Sequence, residues 1–100
     1  LLARITFTAD SADLSGEAKA SLDALAAQMK ANSSRVHVEA FAGAPGDTSS
    51  AARRNALRRA LAVRTYLGAQ GIDSSRVDVR ALGGAPDGPA DRVDVKALAG

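Results

Sequence analysis

Arginine is the residue type with the most chemistry to offer in this chain, and it is concentrated. Arg53, Arg54, Arg58, Arg59 and Arg64, five of the thirteen basic residues, fall within Ala51–Leu67. A guanidinium is a planar fork of N–H donors that matches a carboxylate or phosphate, so one held in place is an anion-binding group. Ala56, Ala60, Val63 and Leu67 recur at steps of four, three and four, the stripe of a helix lying on a core. Arg59 sits beside that stripe. Two readings follow from the residues: a stem covering apolar surface with a solvated head, or a packed guanidinium that anchors a carboxylate ligand. Arg53, Arg54, Arg58 and Arg64 read as a solvated face.

Other chemistries have little to work with. The chain has no cysteine and one histidine, which excludes disulfides and thiolate metal sites and leaves no ligand set for a transition metal. His37 alternates with Val36 and Val38 and has no serine or cysteine partner motif, so no nucleophile and base are paired. No carboxylate pair shares an evident site. The glycine-rich GAPG and GGAPDG segments lack the spacing of a phosphate loop and read as turns. The chain is therefore read as no enzyme, with no metal and no cofactor. Phe7, Phe41 and Tyr66 are the only aromatics, too few for the stacking platforms of single-strand binders, which sets nucleic acid aside.

Length and composition bound the rest. One hundred residues, 46% of them hydrophobic, suit one domain with one core. No apolar run approaches the roughly 18 residues of a spanning helix. The opening on Leu1 and Leu2 without a methionine gives the expectation of a segment cut from a longer protein.

The elements that must position the arginines follow from periodicity. RITFT, Arg4–Thr8, alternates as a half-buried strand. Ser15 is placed to cap a helix from about Gly16 to Ala31, whose Ala18, Leu22, Leu25 and Met29 form one buried face. Three similar segments, RVHVEAFAG from Arg35, RVDVRALGG from Arg76 and RVDVKALAG from Arg92, read as strands with Val, Val and Ala on one side. GAPGDTSSAA is a loop whose serines cap the arginine helix, with Asp47 as a turn residue, and the helix closes near Gly68 or Gly71. GGAPDGPAD is too short for a helix, so the last two strands are expected to form a hairpin. The fold class is α+β: a two-layer sandwich, β-α-β-α-β-β, with two helices packed on one face of a mixed four-stranded sheet.

With that order in place, the residues resemble a known family. FTADSADLSGEAKASLDALAAQMK is similar to the opening of OmpA-like peptidoglycan-binding domains. RRALAVRTYLGAQGIDSSRV resembles that family's R-A-x-x-V-x-x-Y-L-x-x-x-G-[IV] stretch through Arg59, Ala60, Val63, Tyr66, Leu67, Gly71 and Ile72. PADRVDV resembles the terminal N-R-R-V-E-I element and keeps Arg92 and Val93. Residues 1–100 are then one OmpA-like domain, expected to be the C-terminal part of a longer envelope protein.

The resemblance implies a ligand and a site. The ligand is the diaminopimelate stem peptide of the cell wall, whose carboxylate is gripped by an arginine and whose ammonium meets an aspartate. Arg59 is the counterpart of that arginine. The family's T-D-x-x-G loop is here Ala42-Gly43-Ala44-Pro45-Gly46, so Gly43 stands where the aspartate belongs. Asp47 from the same loop is a candidate replacement, with Asp10 and Asp91 as further ones; Asp91 occupies the place of the first arginine of N-R-R. Gly43, Asp47, Arg59, Arg92 and Asp10 are the expected ligand-binding residues. The implied setting is periplasmic, tethered to the outer membrane by a part of the protein outside this chain, with protein partners in the envelope possible. The competing expectation is a protein-interaction or structural domain of the same fold that has lost the wall site.

Overall fold

The computed structural model describes residues 2–9 and 11–98. Strand β1 (Ala3–Thr6) leads into helix α1 (Gly16–Lys30), then strand β2 (Val36–Phe41), helix α2 (Ser50–Ala69), a short 3-10 turn at Ser74–Arg76, and strands β3 (Val77–Gly83) and β4 (Arg92–Ala97). Both helices begin as the serines direct. Ser15 Oγ accepts the Ala18 N–H at 3.1 Å and Ser49 Oγ accepts that of Ala52 at 3.2 Å, each satisfying one amide that the first turn leaves unpaired.

Both helices pack on one face of the sheet, α1 against β1 and α2 against β2 and β3. The core lies between the layers, with Ile5, Leu22, Met29, Val36, Val38, Val63, Leu67, Val93 and Val95 all buried. Each such side chain contributes roughly 1.5–3 kcal/mol by leaving water. Tyr66 Oη and Gln70 Nε2 both donate to Asp23 Oδ1, at 2.8 and 2.9 Å, and join the helices at their outer side.

The strand order is β1-β4-β2-β3, and it corrects one expectation. β3 and β4 do not form a hairpin. β3 lies parallel to β2, the usual result of a strand-helix-strand crossover, while β4 runs antiparallel between β1 and β2. Two open ladders compete for β4, and the central slot satisfies both. There Val93 and Val95 face Ile5 and Ala3 on one side and Ala40 and Val38 on the other. An edge position beside β3 would leave one whole side of β4 unpaired.

The segment between β3 and β4 therefore crosses the end of β2, and glycine permits the passage. Gly83 has φ +82°, and a side chain on Gly84 would collide with the backbone of Ala44, Gly46 and Asp47. Gly84 N–H donates instead to Asp47 O at 2.8 Å. This crossing brings residues just before β4 beside the loop that leads into α2.

β4 departs from simple alternation as well, because Arg92 and Asp94, on the face away from the helices, are buried with Val93 and Val95. Arg92 Nε donates to Asp94 Oδ2 at 3.0 Å, and Arg4 Nε donates to Asp94 Oδ1 at 2.8 Å. Arg92 Nη1 also donates to the carbonyls of Asp87 and Pro89, pinning the crossing segment.

Candidate functional site

Arg59 is buried to 1% exposure, so the expected solvated or outward-facing head is not what the fold produces. The reason is geometric. Ala52, Ala56, Ala60 and Val63 put that side of α2 on the sheet, and the Arg59 stem enters the space where three chain segments meet. Its Nε donates to Ser11 O at 2.8 Å and its Nη2 to Thr8 O at 3.1 Å, both on the loop between β1 and α1. Its Nη1 donates to Phe41 O at the end of β2 and to Asp91 Oδ1 just before β4, each at 2.9 Å. The guanidinium also lies 5.1 Å from the Phe7 ring centroid. Four of its five N–H groups thus have acceptors within the described residues.

One side of this cluster opens to a recess of about 180 Å³ between the N-terminus of α2, the loop from Ala42 to Ser49, and Asp91. Arg59, Asp47, Gly43, Ser49, Asn55 and Asp91 all line it. Asp47 Oδ1 accepts the Ser49 N–H at 2.8 Å. That backbone bond, followed by the Ser49 hydroxyl, holds the Asp47 carboxyl below the usual range and keeps it ionised. Asp91 is about one-third exposed, and only its Oδ1 is engaged by a side-chain donor among the described residues. The recess therefore holds one guanidinium and two carboxylates.

Gly43 explains where the first of those carboxylates stands. It has φ +87°, and a Cβ built on it would lie 3.0 Å from Asp47 Oδ2 and 3.1 Å from the Ala52 methyl. An aspartate at position 43 would meet both backbone strain and the carboxylate already there. Asp47 thus presents its oxygen beside the point from which a side chain at Gly43 would start.

Of the expected site residues, the fold brings Arg59, Gly43 and Asp47 together, with Asp91 joined to them. Arg92 is elsewhere, stacked 4.5 Å over the Phe41 ring on the other face of the sheet, and does not line the recess. Asp10 lies outside the described residues. Asn55 and Ser49 were not foreseen as lining residues. Asn55 precedes Arg59 by one helical turn, a spacing that carried the signal. Arg58 Nη1 reaches Asn55 Oδ1 at 3.4 Å without itself lining the recess. Among the described residues there is no cluster of histidine and acidic side chains suited to a metal ion.

Comparison with known proteins places this geometry. A family profile described as the OmpA family matches residues 6–97. Among solved structures, the chain is similar to the OmpA-like domain of FopA1 from Francisella tularensis, at 22% identity and a TM-score of 0.77 over 96% of this chain and 74% of that one. It is similar to the peptidoglycan-associated lipoprotein from Burkholderia pseudomallei, at 18% identity and a TM-score of 0.78 over 95% and 89%. The C-terminal domain of Helicobacter pylori MotB matches at 14% identity and a TM-score of 0.74 over 98% and 85%. No curated protein matches the chain.

Proposed function

This chain belongs to the OmpA family, and from that premise we propose that it is a non-catalytic module that binds peptidoglycan through the diaminopimelate stem peptide and holds an envelope protein to the cell wall. The observation that carries the reading is the recess in which buried Arg59 meets Asp47 and Asp91. Diaminopimelate ends in an ammonium and a carboxylate on one carbon, and the recess offers acidic and guanidinium groups within one small space. Asp47 takes the ammonium role that Gly43 cannot supply, and Arg59 stands on the carboxylate side. Similarity to a peptidoglycan-associated lipoprotein supports this assignment. The corresponding setting is the periplasm, with attachment to the outer membrane through a part of the protein outside this chain. Among the described residues no helix is long and apolar enough to cross a membrane.

Sedimentation with purified, protein-free peptidoglycan tests the proposal. Wild type is expected in the pellet. Asp47→Ala, which removes one charged contact worth about 1.5–3 kcal/mol, should lower affinity by roughly tenfold or more. Arg59→Ala should lose binding too, read only on protein that circular dichroism shows to be folded, because the substitution also removes a buried hub of four hydrogen bonds. Wild type left in the supernatant at low salt defeats the reading. A second reading then takes its place: a protein-interaction or structural domain of the same fold without the wall site. The observation favouring it is that Arg59 is already bonded to Asp91 and three backbone carbonyls.

A further inference from the structure

The charges around Arg59 point to what the recess reads, on the premise that it takes a stem peptide. A guanidinium that is to grip a ligand carboxylate needs its fork free. Here both Nη1 hydrogens are engaged, one by Phe41 O and one by Asp91 Oδ1, Nε is engaged by Ser11 O and one Nη2 hydrogen by Thr8 O, so a single N–H is left and no two-pronged fork. A ligand carboxylate arriving at Nη1 has to displace Asp91, exchanging one carboxylate for another at the same donor, so little is gained by the exchange.

Acceptors are better provided. Asp47 keeps Oδ1 on the Ser49 amide, and Asp91 keeps Oδ1 on Arg59. Neither Oδ2 accepts an N–H among the described residues, and both side chains line the recess. With Arg59 counted, the three charged groups lining the cavity sum to −1. An ammonium brings three N–H donors and a positive charge, complementary to two part-free carboxylates. Burial of the Arg59 guanidinium fixes Asp91 in this position without taking its second oxygen.

We propose that the recess recognises its ligand by a primary ammonium held between Asp47 and Asp91, with little discrimination on the neighbouring carboxylate, so that stem peptides carrying a lysine side chain are bound alongside those carrying diaminopimelate. Asp91 is thus a specificity-determining residue: it neutralises the arginine toward anions and adds a second contact for the amine.

Titration calorimetry on the whole chain, with soluble stem peptides differing only at one side-chain terminus, tests this. The probes are a diaminopimelate peptide, a lysine peptide and its Nε-acetyl-lysine counterpart. The first two should bind within about threefold of each other, and the acetylated one at least about tenfold more weakly, the factor that about 1.4 kcal/mol makes. Asp91→Asn keeps an oxygen for Arg59 while removing the charge, and it should lower the melting temperature and, in protein shown to be folded, weaken both amine peptides about tenfold. A lysine peptide more than about tenfold weaker than the diaminopimelate one overturns the proposal. Tighter diaminopimelate binding by Asp91→Asn also overturns it, since Asp91 would then be a competitor for Arg59. If intact wall pellets the protein but no soluble peptide binds, this inference falls and wall binding stands. If neither binds, the stem-peptide reading fails and takes this inference with it.

Discussion

Arg59 and Arg92 are built from the same parts and end in different situations. Each is buried, at 1% and 4% exposure, each lies over a phenyl ring, and each donates to backbone carbonyls and hydrogen-bonds one aspartate side chain, Arg92 having a second and looser carboxylate partner in Asp87 at 3.5 Å. The aspartates differ. Asp94, the partner of Arg92, has a side chain only 5% exposed and is shared with Arg4. Asp91, the partner of Arg59, is 32% exposed and lines the recess. Arg92 spends its hydrogen bonds on a buried carboxylate and the crossing segment, and Arg59 holds a carboxylate at the edge of a recess. A buried arginine is therefore no sign of a binding site, and an exposed counter-ion such as Asp87 is none either; what separates the two is that Arg59 and Asp91 line one recess together.

The hardest test of that contrast is removal of Arg92. Truncation breaks a buried pair and strands Asp94, a change that costs about 3–5 kcal/mol when no other partner remains. Arg4 stays bonded to Asp94, which places the expected loss for Arg92→Ala near the low end, about 3 kcal/mol, in urea unfolding. The folded fraction should still sediment with peptidoglycan like wild type. Loss of wall binding from protein shown to be folded would put Arg92 back among the ligand-binding residues.

Next in size is Gly43→Asp, which rebuilds the family residue. The positive φ imposes about 1–3 kcal/mol on a residue with a side chain, and the new carboxylate begins 3.0 Å from Asp47 Oδ2. Stability should drop by that amount, and wall retention should not improve. Gly46→Ala separates the two causes: Gly46 has φ +78° with nothing within 4 Å of its Cβ position, so it reports backbone strain alone. Improved retention by Gly43→Asp would show that Asp47 is no substitute for the family aspartate.

Most of the fold was legible because it rests on local signals. The periods of two and of three to four placed every strand and α-helix near its final bounds, though not the 3-10 turn at Ser74–Arg76, and Ser15 and Ser49 are the caps that their positions promised. The slot of β4 was not legible. Neighbours in the chain suggested a hairpin, whereas two open ladders on either side of the slot decide the pairing. The site was read to a similar depth. Asp47 reads from the residues as a turn residue, and only the family resemblance offered it as a replacement for the missing aspartate; the fold lines the recess with it. The partners of Arg59 come from residues 8, 11, 41 and 91, and no local pattern connects those positions. Arg92 misled for the same reason: its motif was plain, but the carbonyls that enclose it belong to a segment whose path depends on the strand order.

The smallest effect is expected from pH, and it is carried by Asp94. Burial pushes the Asp94 carboxyl up, but hydrogen bonds from Arg4 and then Arg92, with their charges, outweigh it and hold the group below its ordinary value of 3.8. A carboxyl lowered in the folded state binds fewer protons there than in the unfolded chain. Its stabilising share is complete above about pH 4 and is lost as the pH falls through the lower, folded value. Unfolding free energy should accordingly be level from neutral pH to about 5 and decline below about 4. Asp94→Asn should be less stable than wild type at neutral pH and show a shallower acid decline, because the titrating group is gone. If the two proteins lose stability in parallel as acid is added, Asp94 is not the group that couples the Arg92 network to pH, and the contrast between the two arginines loses its energetic support.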